Sequence, residues 1–156
     1  MDAVLTTARL TLRPAADADV AALRAHWGRP EVRRFLFDGS PPTSAQVREL
    51  LPVVWVVFER TTSTLVGAVG LRTLDGVGPE VLYSLEPEHQ GRGYATEAVG
   101  AVVGHALGVL RLPCVVAEVD QANRASAAVA ERLGMRPFAT VPGALGPLVR
   151  YRREPG

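Results

Sequence analysis

The densest chemistry in the chain is the run Leu85-Glu86-Pro87-Glu88-His89-Gln90-Gly91-Arg92-Gly93-Tyr94-Ala95-Thr96, which stands between a strand pattern and a long helix pattern. Glycine lets backbone N–H groups approach a ligand closely, and the first N–H groups of a helix have no internal acceptor. Together they suit an anion, and a pyrophosphate there would meet several donors and the positive end of a helix dipole. Gly91 and Gly93 could equally form nothing more than a tight strand-to-helix connection. Two common nucleotide motifs are not supported. The Walker Gly-Lys-Ser/Thr ending is missing, and Thr96 stands where a dinucleotide fingerprint needs its third glycine.

A second group lies at Asn123 and Ser126. Asn123 reads as a helix cap worth about 0.5 to 2 kcal/mol, or as an amide that holds a ligand. Ser126 is one helical turn further on, so both side chains can face one cleft; a solvated or self-bonded hydroxyl is the plainer reading. The one cysteine, Cys114, follows Pro113 at the start of an apolar run, where packing is its default role. It cannot form an internal disulfide, and no Cys/His cluster has metal-ligand spacing, so a reducing cytoplasm and no metal are expected. His26, His89 and His105 are weaker candidates, because His105 sits in an apolar helix pattern and His89 in a turn.

These residues need a scaffold, and the Gly and Pro residues punctuate one. Arg9 to Arg13 alternates Leu10 and Leu12 with polar neighbours, the period of a half-buried strand closed by Pro14. A helix capped by Asp17 or Asp19 follows, with Val20, Leu23 and Trp27 on one face and Gly28 and Pro30 as its stop. Thr43-x-x-Gln46 is a capping box for a second helix ended by Pro52, while Glu31 to Asp38 is ambiguous. Val53 to Glu59 and Leu65 to Leu71 read as a strand hairpin, and Glu80 to Leu85 as the next strand. From Ala95 to Leu110 apolar residues fall on nearly every side of a helical wheel, which predicts a buried helix. Val115 to Val119 is a strand, Arg124 to Leu133 a helix stopped by Gly134, and Met135 to Val141 and Leu148 to Arg152 are closing strands. The expected result is a mixed α/β sheet in which a buried helix follows a central strand.

Length and charge narrow the function classes. With 156 residues and no internal repeat or linker, one domain over 1–156 is expected. Lys plus Arg number 17 against 16 Asp plus Glu, which lacks the basic excess of a dedicated nucleic-acid binder. Every basic residue among the 17 is Arg, a bias that fits GC-rich coding and carries no mechanism. No stretch has signal-peptide or membrane-span character, so no membrane partner is expected.

Together these segments resemble the GNAT superfamily of acyl-coenzyme A dependent N-acyltransferases, whose acetyl-CoA loop reads Gln/Arg-x-x-Gly-x-Gly/Ala and is matched by Gln90-x-x-Gly93-x-Ala95. The neighbouring text is similar to the RimJ/RimL branch, the ribosomal-protein N-terminal acetyltransferase-like group. Thr7-Ala8-Arg9-Leu10-Thr11-Leu12-Arg13-Pro14, Glu80-Val81-Leu82-Tyr83-Ser84-Leu85 and Gly91-Arg92-Gly93-Tyr94-Ala95-Thr96-Glu97-Ala98 carry that likeness. So do Asn123-x-x-Ser126 and Glu131-Arg132-Leu133-Gly134-Met135, in which Arg132 and Met135 are mild departures.

The resemblance implies an α/β (α+β) fold with a mostly antiparallel sheet of about seven strands and about four helices. It implies acetyl-CoA as co-substrate and direct transfer of its acetyl group to a primary amine, either a protein N-terminus or a small molecule. Gln90, Gly91, Arg92, Gly93, Tyr94, Ala95 and Thr96 would hold the pyrophosphate, and the backbone near Ser84 and Leu85, with Asn123, the pantetheine. Ser126 would protonate the departing thiolate, with Tyr83 or a bound water as its substitute. Glu80 would be the general base, with Glu118 as its rival, unless the amine arrives neutral. Acceptor choice would lie with the first two helices and the Leu145 loop. The alternative is a non-catalytic CoA-binding regulatory module of the same fold. A monomer or weak homodimer is expected, and whether Arg132 meets a CoA phosphate stays open.

Overall fold

The computed structural model describes residues 3–34 and 36–156. Among the described residues there are eight strands: β1 (Leu5–Thr6), β2 (Leu10–Pro14), β3 (Val54–Glu59), β4 (Leu65–Leu74), β5 (Gly78–Leu85), β6 (Val115–Asp120), β7 (Arg136–Val141) and β8 (Leu148–Arg153). Five α-helices accompany them: α1 (Val20–Gly28), α2 (Pro30–Arg33), α3 (Ser44–Leu50), α4 (Tyr94–Gly108) and α5 (Arg124–Arg132). The mixed α/β fold expected from the sequence is thus present, with β1 and α2 added. The ambiguous stretch from Glu31 to Asp38 holds most of α2 and the start of a 3-10 turn, Phe37–Gly39. Phe35 within it lies outside the described residues, as do Met1 and Asp2.

The sheet order is β1-β2-β3-β4-β5-β6-β8-β7. Neighbours run antiparallel except β5 and β6, which are parallel because the chain crosses back through α4. Alternation along each strand divides the apolar residues between two cores. Trp55, Val57, Val81, Leu85, Val115, Ala117 and Val119 face α4 and α5, whose Val99, Val102, Val103 and Val129 complete that core. Val54, Val56 and Ala68 face the other way, onto Val20, Leu23 and Trp27 of α1 and Val47 of α3. Buried on so many sides, α4 has little amphipathic character, as its all-round apolar pattern predicts.

Between the parallel strands one pair alone is in register, Glu80 with Val116. Beyond it, the C-terminal halves do not pair. Val81 to Leu85 on one side and Ala117, Glu118 and Asp120 on the other line a cleft of about 970 Å³. On its far side β5 is pressed against β4: a Cβ on Gly67 would stand 2.0 Å from the Ser84 carbonyl oxygen, so only glycine fits there. A ligand site outside the carboxyl ends of parallel strands, where the connections diverge, is the general rule for sheets of this kind.

Candidate active site

The loop from Gly91 to Thr96 opens onto this cleft. Gly91 and Gly93 have φ of +77° and +79°, a region that costs other residues energy, so both glycines are required by the backbone itself. Gly93 is also the N-cap of α4. Among the described residues, no backbone N–H from Gly91 to Thr96 reaches a protein acceptor. The Thr96 hydroxyl is buried and equally without a partner. A row of unpaired donors at the positive end of a helix fits a pyrophosphate, which answers both the backbone groups and the orphaned hydroxyl.

A second layer holds the loop in place. Arg9, in β2's leading turn, donates from Nη1 to the Arg92 carbonyl at 2.9 Å and from Nε to Glu97 Oε1 at 2.7 Å, and its guanidinium lies 4.3 Å from the Tyr94 ring centroid. Tyr94 is buried and donates its hydroxyl to Glu59 Oε2 at 2.6 Å. Tyr94 therefore braces the loop with its side chain and offers a ligand only its N–H. Arg92 is exposed, and Gln90 donates to the Leu85 carbonyl at 3.4 Å.

That contact marks the Leu85 carbonyl as pointing into the opening. Glu86 N donates to Val66 O of β4 at 2.7 Å, so alternation turns the peptide groups of Tyr83 and Leu85 toward the unpaired side. The Ser84 side chain points away from the cleft's phosphate end. Its Oγ accepts from Trp27 Nε1 at 3.0 Å and meets His26 Nε2 at 2.8 Å. His26 Nδ1 lies 3.0 Å from Glu86, whose other oxygen pairs with Arg29. A carboxylate only accepts, so Nδ1 carries the ring proton and the Ser84 hydroxyl donates to Nε2. Burial holds the His26 pKa below its usual value, against the pull of Glu86 in the other direction.

Asn123 caps α5, its Oδ1 accepting from Ser126 N at 3.2 Å. Ser126 lines the cleft with Asn123, and its side chain stands beside the Tyr83 hydroxyl. The Tyr83 hydroxyl donates to the Ser126 carbonyl at 3.2 Å, and burial pushes its pKa up to about 12. Arg132 also lines the cleft.

The carboxylates sit on the opposite side of the sheet. Even positions of β5 and β6 face away from α4, which places Glu80, Glu118 and Asp120 together on the face of α1 and α2. Glu80 is 3% exposed and accepts from Arg72 Nε at 3.1 Å; burial nonetheless raises its pKa. Glu118 accepts from Arg150 Nε at 2.9 Å. Asp120, which sequence reasoning did not single out, is buried and has no side-chain partner among the described residues. His89 packs beside Tyr94 at 5.9 Å between ring centroids. His105 stands edge-on to Trp55, outside the cleft lining. Cys114 is buried at the start of the β6 segment and does not line the cleft. Among the described residues no group of His, Cys, Asp or Glu could hold a metal ion.

The cleft therefore has an anion-binding end on one face of the sheet and a carboxylate-lined end on the other, joined through the gap between β5 and β6. Comparison with known proteins agrees with that geometry. A profile for the Acetyltransferase (GNAT) domain matches residues 9–136. The uncharacterized N-acetyltransferase YoaA of Bacillus subtilis (strain 168) is 28% identical over 146 residues, covering 85% of this chain and 82% of its own. The crystal structure of an acetyltransferase from Agrobacterium tumefaciens str. C58 superposes with a TM-score of 0.81 at 30% identity, covering 97% of this chain and 94% of that one. Spermidine N-acetyltransferase from Vibrio cholerae, solved with CoA and spermine, shares the fold with a TM-score of 0.80 at 18% identity, over 95% of this chain and 96% of that one. With the profile spanning the anion loop and the Asn123 to Gly134 segment alike, the chain belongs to the GNAT acetyltransferase family and is an acyl-CoA dependent N-acyltransferase.

Proposed function

We propose that this protein transfers the acetyl group of acetyl-CoA to a primary amine by direct attack, with one domain over residues 1–156 supplying the whole site. The observation that carries this reading is the row of unpaired donors from Gly91 to Thr96 beside a gap between two parallel strands. Those N–H groups and the Thr96 hydroxyl hold the pyrophosphate, with Gln90 and Arg92 at the rim. The peptide groups of Tyr83 and Leu85, flanking Ser84, pair with the pantetheine amides as an added strand would, and Asn123 holds the same arm. Acetyl-CoA supplies an activated thioester; the chain's part is to hold its carbonyl against a donor and to move two protons.

Ser126 gives a proton to the departing sulfur, since its side chain lines the cleft next to Asn123. Glu80, Glu118 and Asp120 are the carboxylates placed to take a proton from the amine. The order of motifs from Arg9 to Met135 supports the RimJ/RimL-like branch, and an amine acceptor agrees with the spermidine N-acetyltransferase that shares the fold. One copy of the chain lines the cleft, so a monomer or weak dimer suffices. Its single buried cysteine fits a reducing cytoplasm.

The test is a thermal melt with a matched acetylation assay. CoA is expected to raise the melting temperature, by about 2.7 kcal/mol of stabilisation at a hundredfold excess over Kd, while NAD and ATP leave it unchanged. Gly93→Val should abolish that shift, since valine cannot adopt its φ cheaply. Stabilisation by NAD and none by CoA would sink the proposal.

A further inference from the structure

The carboxylates on the acceptor side are not equally free. Glu80 and Glu118 are each matched by an arginine at 3.1 and 2.9 Å, which leaves the pairs near neutral. Asp120 is 9% exposed, lines the same cleft and has neither an ion pair nor a side-chain hydrogen bond among the described residues. Its oxygens open onto the cleft instead of being sealed in the core, so a cation delivered by a substrate would meet an unmatched negative charge there. Glu31, at the rim, is 56% exposed and 3.6 Å from Arg29, so it holds a second cation poorly.

The wall around Asp120 combines charged side chains, among them Glu31, Arg34 and Arg72, with a set of apolar ones. Val32, Leu36, Phe37, Leu82, Leu145 and Leu148 line this end of the cleft. Phe37 is held there at a φ of +49°, unusual for a bulky residue, with its ring 5.5 Å from that of Trp27. Arg33 keeps the segment in that shape, donating from Nη1 to Gly39 O at 2.7 Å and from Nε to Gly28 O at 3.2 Å. One unmatched negative charge beside this apolar surface, with the neighbouring carboxylates Glu80 and Glu118 already matched, suits one positive charge on an apolar body.

Resting on the acetyl-transfer reading, we infer that the acceptor is a primary monoamine with an apolar body, whose ammonium docks on Asp120 and gives it one proton. The nitrogen lone pair then forms the N–C bond to the acetyl carbon as the C–S bond breaks. A second amine proton leaves the nitrogen and one proton reaches the sulfur, so the products are the N-acetyl amine, the CoA thiol and the proton that Asp120 returns to water. Burial raises the Asp120 carboxyl above the ordinary carboxylate range, and the charge of Glu118 adds to this. Glu118 with Arg150 of β8, Glu80 with Arg72 of β4, Glu31 of α2, Arg34 just after α2 and Arg132 of α5 are the other charges in or beside the cleft. A polyamine would bring a second ammonium past Arg72 to two carboxylates already matched.

The experiment pairs an acceptor panel with Asp120→Asn. On the wild-type protein, phenethylamine and a peptide with N-terminal leucine should each exceed spermidine in kcat/KM by about tenfold or more, a difference of about 1.4 kcal/mol. Whichever of the two is faster distinguishes a free amine from a chain terminus as the source. Phenethylamine should also raise the melting temperature in the presence of CoA, and Asp120→Asn should lose that rise while keeping the rise from CoA alone. The same variant should lower kcat/KM by roughly 10² to 10⁴-fold and flatten the acid limb of the pH profile, where the wild-type rate climbs as Asp120 ionises. Preference for spermidine, or an Asp120→Asn rate within about threefold of wild type, would overturn the inference and leave acetyl transfer standing. No turnover of any amine would overturn both.

Discussion

The hydroxyl of Tyr83 already donates to the Ser126 carbonyl and is pushed up to about 12 by burial, whereas the Ser126 side chain beside it lines the cleft. A thiol has an ordinary pKa of about 8.5, so a proton moving from such a phenol to a thiolate would run steeply uphill. Ser126 is no stronger an acid intrinsically, but it lines the cleft and can pass on a water's proton. Ser126→Ala should therefore lower kcat toward the small end of the roughly 10² to 10⁴-fold range for proton-transfer groups, with little change in acetyl-CoA affinity. Asn123→Ala should instead weaken CoA binding and cost about 1 kcal/mol of stability through the lost cap. Steady-state kinetics and melts with and without CoA separate the two, and near-normal turnover in Ser126→Ala would end its assignment. Both residues are legible in the sequence because cap and hydroxyl lie one turn apart on a single helix. Asp120 is not legible: it ends an apolar run just before Gln121 and Ala122, where an aspartate reads as turn chemistry, and only the parallel pairing of β5 with β6 reveals which face it takes.

At the scale of elements, α1 is tied to the end of β5 by the chain of Trp27, Ser84, His26, Glu86 and Arg29. The sequence places His26 beside Trp27 on an amphipathic helix but cannot tell that its partners stand at Ser84 and Glu86, since the pairing is between distant segments. The same limit hides α2, which is a single turn, and β1, where Leu5 and Thr6 pair with Leu12 and Thr11 over too short a run to show alternation. The helices α4 and α5 and strands β3 to β6 are legible because each carries its own period and its own stop. His26 is fully buried, and its pKa lies below the ordinary value of about 6.5 because burial penalises the charged ring. Below that pH the unfolded chain takes up a proton that the native state resists, so stability falls as pH falls. Urea midpoints at pH 7.5 and 5.5 should show a loss in the wild type that His26→Leu does not share. The substitution should also cost about 1 to 3 kcal/mol at pH 7.5 by leaving Ser84 and Glu86 short of a partner. An identical pH loss in both proteins would show that His26 is not the group responsible.

For the molecule as a whole, the decisive feature is that one sheet separates two binding ends and opens between β5 and β6 to join them. The core under α4 and α5 fixes the anion loop, and the smaller core under α1 and α3 fixes the acceptor wall, so each end is positioned by its own packing. Because the two ends meet only at the gap, both substrates can be present together and the amine can attack without a protein nucleophile between them. The residues support this: Cys114 is buried outside the cleft lining, and the Ser84 hydroxyl is engaged by both Trp27 and His26. Initial rates measured against acetyl-CoA at several fixed amine concentrations should give intersecting double-reciprocal lines, the mark of a complex holding both substrates. Parallel lines would instead indicate that the acetyl group rests on the enzyme between two half-reactions. The matching observation is the intact mass of the protein after incubation with acetyl-CoA alone, which should show no added acetyl group. An acetylated protein that passes its acetyl group to the amine once CoA is removed would overturn direct transfer, and would point to Ser84, the hydroxyl already hydrogen-bonded to a buried histidine, as the first residue to map.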